Sequence, residues 1–246
     1  MKIAICGDSF FCADSYYKNT HFSELLAKEH DVINFACPGV SGLAICSQID
    51  SAIQLKPDVI VAKSSYPGRI EILKDKNTEY VFENKVNNFD QDHYTQISNQ
   101  EHFGHFKVSD NIDHSQSTII SENLSVLLDK EFTHLDDETF GAFEKVIPYF
   151  SLEWHKQVTT WSYAHLVRKC SDFGITILFD CNADVETEFN DFDFVPDAQK
   201  IYLGNILPLE PLPDDYMPRP IYHTDYITQE NIYNYLLEKI KEHNIG

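Results

Sequence analysis

No stretch of this sequence stays apolar for the roughly 20 residues that crossing a bilayer requires. Met1 runs directly into a strand-like Lys2-Ile-Ala-Ile-Cys6, with no basic region and no small-residue cleavage site. The expectation is a soluble cytoplasmic protein with no membrane partner. Basic residues are scarce as well: 19 Lys and Arg stand against 39 Asp and Glu, a net charge of −20. Such a field repels a phosphate backbone, so nucleic acid is not an expected partner. The six cysteines, Cys6, Cys12, Cys37, Cys46, Cys170 and Cys181, form no CxxC pair and no dense spacing, which points to reduced, mostly buried thiols rather than a disulfide framework. Neither Gly-x-x-x-x-Gly-Lys nor Gly-x-Gly-x-x-Gly occurs, and their absence argues against a nucleotide cofactor. No cofactor is expected, and the chain has no internal repeat or low-complexity tract.

What is present is an alternation of strand and helix signals. Of the 246 residues, 43% are hydrophobic, enough for one sizeable core. Lys2–Cys6, Asp31–Ala36 and Asp58–Lys63 are short apolar runs that read as strands. Between them, Phe22, Leu25 and Leu26, then Ile45, Ile49, Ala52 and Ile53, recur at helical spacing, with Pro57 as a stop. Strand, helix, strand, helix, strand at this spacing implies right-handed crossovers and a parallel sheet with helices on its faces. Residues of about 74–145 are dominated by Asn, Asp, Gln, His and Ser, with aliphatic clusters only at Ile119-Ile120 and Val126–Leu128. This stretch reads as an insertion or lid with some helix of its own, within one domain spanning 1–246. Beyond it, Phe150, Trp154, Val158, Trp161 and Leu166 make a helical stripe ending near Gly174, with Trp154 and Trp161 expected in the core. Ile175–Phe179 is the next strand. The acidic, proline-rich segment from Cys181 to Pro220 reads as loops over one rim of the sheet, with a short apolar run at Ile201–Leu203. Ile232, Tyr235, Leu236 and Ile240 define a final helix that Thr228 can cap.

Ligands of a parallel sheet bind beyond the carboxyl ends of its strands, so the residues just after each strand are the candidates for chemistry. Strand one delivers Gly7-Asp8-Ser9-Phe10, where a glycine lets the chain turn out of the sheet and a hydroxyl is exposed. Strand two runs into Asn34-Phe-Ala-Cys-Pro-Gly39-Val-Ser-Gly42, in which Pro-Gly also suits a plain turn. That run misses the Gly-x-Ser-x-Gly elbow of α/β-hydrolases by one position. Strand three leads to Ser64-Ser65-Tyr66-Pro67-Gly68-Arg69, and Pro220-Ile-Tyr-His223-Thr-Asp225-Tyr226 precedes the final helix. His102-Phe-Gly-His105, with Asp110 and His114, offers ligand types that a metal accepts, but on a loop-like, histidine-rich segment; no metal is expected there.

These blocks resemble the SGNH (GDSL-type) hydrolases, over about the first 70 residues and the last 30. Gly7-Asp8-Ser9 is similar to the family's first block, which implies that Ser9 is the nucleophile and that its own amide helps form the oxyanion hole. Asn34 followed five residues later by Gly39 is similar to the second block, which implies the Gly39 amide as the next donor. The third block departs from the family's Gly-x-Asn-Asp. No asparagine is present, and losing one oxyanion donor typically costs about 3 to 4 kcal/mol. Ser65 or Tyr66 would supply a hydroxyl instead, with Asp8 and Arg69 completing the substrate-binding group and Arg69 holding an anionic or sugar substrate. The last block, Asp-x-x-His in the family, departs too. Aligned on the lead into the helix, Tyr226 holds the histidine position and His223 lies three residues earlier. Either the loop brings His223 to Ser9 as the base, with Asp225 orienting it and Asp214 and Asp215 as alternatives, or the base has been lost.

The resemblance implies a three-layer α/β/α sandwich with a mainly parallel, SGNH/flavodoxin-like sheet and a long insertion after the third strand. It implies a serine esterase or carbohydrate O-deacylase acting on a small-molecule ester or an acylated carbohydrate. The alternative is a catalytically degenerate SGNH fold that binds carbohydrate or protein. The Ser-x-Pro-x-Arg third block also resembles short sequences carried by tailed viruses of marine bacteria, which would make the chain a viral structural or accessory component. The oligomeric state is left open.

Overall fold

The computed structural model describes residues 1–8, 10–11, 21–36, 40–65, 69–75, 117–123, 137–181, 192–203 and 226–243. Five strands form one parallel sheet: β1 (Lys2–Cys6), β2 (Asp31–Asn34), β3 (Val59–Lys63), β6 (Thr176–Asp180) and the short β7 (Lys200–Ile201). A separate antiparallel pair, β4 (Arg69–Asp75) and β5 (Ser117–Asn123), lies between β3 and β6 in sequence. The helices are α1 (Phe22–Leu26), α2 (Gly42–Gln54), α3 (Asp137–Val146), α4 (Leu152–Asp172) and α5 (Tyr226–Glu242).

The order across the main sheet is β2-β1-β3-β6-β7, which is the doubly wound order 2-1-3-4-5 of flavodoxin-like folds. The sheet, its parallel pairing and its flanking helices are the α/β architecture that the SGNH resemblance implies. Register pairs Ile5 with Asn34 and Val61, and Val61 with Leu178, so these share one face. Cys6, Ala62 and Phe179 share the other. Both faces are covered, which is why the strands read as continuous apolar runs rather than alternating ones. α2 packs against α4, and α1 against α5. Ile3, Ile5, Ile60, Val61, Ile177 and Leu178 have no exposed surface; burying each contributes about 1.5 to 3 kcal/mol.

Local signals set the helix ends. Ser41 accepts the Ala44 N–H at 3.2 Å and starts α2. At its far end Lys56 takes a left-handed φ of 50°, and Pro57 prevents the helix from continuing. α4 starts on a Ser151 cap and ends at Gly174, φ 70°. There the Ile175 N–H returns to the Cys170 carbonyl at 2.9 Å, an arrangement that suits glycine because it lacks a Cβ.

The structure differs from the sequence reading at two places, the α4 tryptophans and the Thr228 cap. Trp154 and Trp161 are not core: they are 60% and 54% exposed and stack edge-on against each other at 5.5 Å. α4 instead buries Lys156, Thr159, Tyr163, Leu166, Val167 and Cys170, because it approaches α2 closely. A Cβ on Gly42 would stand 2.5 Å from the Thr159 methyl. Within the stretch read as an insertion, the end of β4, β5 and α3 are described, a strand pair beside the helix expected there. Finally, α5 begins at Tyr226, so Thr228 lies inside its first turn and is buried rather than capping it. Among the described residues no helix is long and apolar enough to cross a membrane.

Candidate functional site

The doubly wound order reverses direction between β1 and β3, and the crevice at the carboxyl ends of those strands is where such sheets bind ligands. The chain leaving β1 turns back on itself at that point. Asp8 accepts the Phe11 N–H through its carbonyl at 3.0 Å and the Phe10 N–H through its carboxylate at 3.1 Å. The carboxylate thus reproduces inside the turn a bond that backbone would otherwise make. Gly7 donates its N–H to Gln48 Oε1 of α2 at 2.8 Å, a buried bond. The need for glycine here is steric, since a Cβ would lie 2.9 Å from the Phe11 Cβ and ring.

Asn34, at the end of β2, ties this turn to its neighbours. Its amide donates to the Phe11 carbonyl at 2.9 Å and to Ser23 Oγ at 3.3 Å, while its oxygen accepts the Ala36 N–H at 2.9 Å. Phe11 packs edge-on against Phe22, with ring centroids 5.3 Å apart. The Phe22 N–H in turn donates to Gln229 Oε1 of α5 at 3.0 Å. The first turn of the last helix is therefore docked beside the elements that flank the β1 turn.

His21 opens α1 through a reciprocal cap. Its Nδ1 accepts the Ser23 N–H at 3.2 Å, and Glu24 accepts the His21 N–H at 3.2 Å. The ring is 4% exposed and its Nε2 has no partner among the described residues. Burial drives its pKa down to about 3, the Phe10 backbone offsetting only part of this, so the imidazole is neutral at pH 7.

Of the residues singled out from sequence, Asp8 lies in the turn as described. Ser65 is 1% exposed and donates its hydroxyl to the Val40 carbonyl at 2.5 Å, lashing the end of β3 to the loop that enters α2. Arg69 opens β4. Ser9, Gly39, Tyr66, His223 and Asp225 lie outside the described residues, as do Asp214, Asp215 and the histidines at 102, 105 and 114. Among the described residues no group of three or more potential ligands is arranged to hold a metal. The buried thiols Cys6, Cys46, Cys170 and Cys181 are in no disulfide; burial pushes Cys170 and Cys181 up to about 12 and raises Cys6 well above the usual thiol range.

Sequence reasoning missed three residues of this edge: Gln48, His21 and Lys63. Lys63 closes β3 opposite Asp180 of β6, is 5% exposed, and holds its Nζ 5.1 Å from the Phe10 ring centroid. A polar residue inside a helix and a lysine at a strand end are ordinary by type, and only the fold brings them to the switch point.

No family model matches the chain, and no curated protein matches it. Among solved structures it is similar to the psychrotrophic esterase EstA from Pseudoalteromonas sp., in a structure inhibited by monoethylphosphonate. The TM-score is 0.48 at 10% identity, covering 100% of this chain and 99% of that one. It is also similar to TesA, with a TM-score of 0.49 at 8% identity, covering 98% and 99%. At these values the similarity assigns no role to any residue, and the site rests on its own geometry.

Proposed function

We propose that the chain is an SGNH-like serine hydrolase, an esterase or carbohydrate O-deacylase, with Ser9 as nucleophile. The observation that carries this reading is the turn at the β1/β3 switch point. Gly7, Phe10 and Phe11 are held by Gln48, Asp8 and Asn34 respectively, so the residues flanking position 9 are anchored at the sheet's ligand edge. Rigid presentation of a nucleophile is what covalent catalysis needs. In the proposed cycle the Ser9 hydroxyl attacks the acyl carbon while His223, oriented by Asp225, takes its proton. The amides of Ser9 and Gly39 hold the oxyanion, and the alcohol departs with the proton that His223 returns. Water then repeats the sequence on the acyl-enzyme and releases the acid. The docking of α5 through Gln229 supports a path for the preceding loop back to this edge.

One observation favours the competing reading, an SGNH-like fold that binds carbohydrate or protein without turnover. The Ser65 hydroxyl is committed to Val40, which leaves Tyr66 alone to replace the family's missing third oxyanion donor. Hydrolysis of p-nitrophenyl acetate and of acetylated sugars separates the two. The hydrolase reading expects turnover that falls by at least about a thousandfold in Ser9→Ala and about a hundredfold or more in His223→Ala. Wild-type rates no higher than those of Ser9→Ala favour binding alone.

A further inference from the structure

We infer that the outward face of α4 is a self-association surface: two copies of the chain dock α4 against α4, antiparallel, about a two-fold axis through Trp161. Trp154, Gln157, Trp161, His165 and Arg168 are all exposed. At 3.6 residues per turn they fall within an arc of about 80°, on the side away from the buried Tyr163, Leu166 and Cys170. Of the seven large apolar side chains that stand exposed among the described residues, Tyr149, Trp154, Trp161 and Phe173 lie on α4 or within three residues of its ends. The two tryptophans keep 60% and 54% exposure even though they touch each other. Aromatic rings gathered at a surface in this way mark an interaction site.

A second copy is the occupant because the face is complementary to itself. Trp154 and Arg168 each lie seven residues from Trp161, and Gln157 and His165 each lie four. In an antiparallel pair turned about Trp161, each Trp154 therefore faces the partner's Arg168, a cation–π contact that the symmetry makes twice. Gln157 faces the partner's His165 in the same way. Tyr149 and Phe173, each twelve residues from Trp161, place an exposed ring at both ends of the contact. Charge selects the same face. Two copies at −20 each repel one another, but α4 carries Lys156, Arg168 and Lys169 against Glu153 and Asp172, so here they meet without that repulsion. The 14 residues from Trp154 to Arg168 span about 21 Å of helix. A contact of that length falls at the small end of protein interfaces, below about 1,200 Å², so the dimer is weak, with a Kd in the micromolar range.

Sedimentation velocity of the full chain tests this, from roughly 1 μM to 0.5 mM and in about 0.15 M sodium chloride to screen the net charge. Wild type should shift reversibly from monomer to dimer, with tryptophan emission changing in step. Trp161→Glu sets two carboxylates on the axis and should weaken association about a hundredfold or more. Arg168→Glu and Trp154→Arg should each weaken it about tenfold. The double variant should recover part of that loss, because the two new side chains then pair across the axis. All these side chains are exposed, so the variants should melt within about 2 °C of wild type. A chain that stays monomeric throughout the range overturns the inference, whatever else then covers the face. So does a dimer that Trp161→Glu leaves intact, or a double variant as weak as the singles combined.

Discussion

Replacing Gly7 by alanine probes the turn that leaves β1. The added methyl would lie 2.9 Å from Phe11 Cβ and Cδ2 and 3.0 Å from Cγ, against the roughly 3.5 to 4.0 Å of an unstrained carbon contact. Phe11 has nowhere to go. Its ring is 2% exposed and abuts Phe22, its N–H is held by Asp8 and its carbonyl by Asn34. Overpacking of this kind costs about 1 to 3 kcal/mol, and if the Asp8–Phe11 turn opens to relieve it, about 1 kcal/mol of hydrogen bonding is lost as well. For a chain of this size each kcal/mol moves the midpoint by about 2 to 4 °C, so Gly7→Ala should melt roughly 4 to 15 °C lower. Thermal unfolding followed by circular dichroism, with urea titration alongside, measures it. The added methyl should cost less in a Phe11→Ala background than in wild type, because the Cγ and Cδ2 contacts are then absent. A Gly7→Ala protein that melts within about 1 °C of wild type would show that the turn is not packed as described.

Gly42→Ala should be destabilising by a similar mechanism, about 1 to 3 kcal/mol by urea denaturation, since its methyl would meet the Thr159 methyl of α4; Thr159→Ser should relieve much of it. The buried His21 makes stability depend on pH. Its pKa falls from 6.5 to about 3 on folding, so between those values the unfolded chain binds a proton that the folded chain does not. Its contribution is complete above pH 6.5 and is lost as pH falls through that window to about 3, by up to roughly 5 kcal/mol. His21→Asn retains a capping side chain and should flatten the urea-midpoint curve between pH 6 and pH 4.

The sheet was legible because β1, β3 and β6 are short apolar runs covered on both faces and β2 is a shorter one half-buried at the edge, and α2 because Ile45, Ile49, Ala52 and Ile53 recur at its period. β7 was legible only as the apolar run Ile201–Leu203, since a two-residue strand carries no period. The α4 stripe misled for a physical reason: periodicity tells which residues share a face, not which face finds a partner. Close approach to Gly42 selected the side bearing Thr159 and Tyr163, and left the two tryptophans to cover each other at the surface. At the site, Gly7, Asp8 and Asn34 were readable from their motifs. Their partners were not: Gln48 reaches Gly7 across 41 residues and Gln229 reaches Phe22 across 207, contacts that no local pattern encodes. Lys63 was passed over because a lysine ending a strand reads as solvated until the fold buries it.

The central claim is that the hydroxyl at position 9 is a working nucleophile. Incubating the native protein with a fluorophosphonate and mapping the adduct by peptide mass spectrometry tests it most directly. The account predicts stoichiometric modification of Ser9, absent from Ser9→Ala and sharply slowed in His223→Ala. An unmodified Ser9 peptide from folded protein, under conditions that label a control serine esterase to completion, would contradict it.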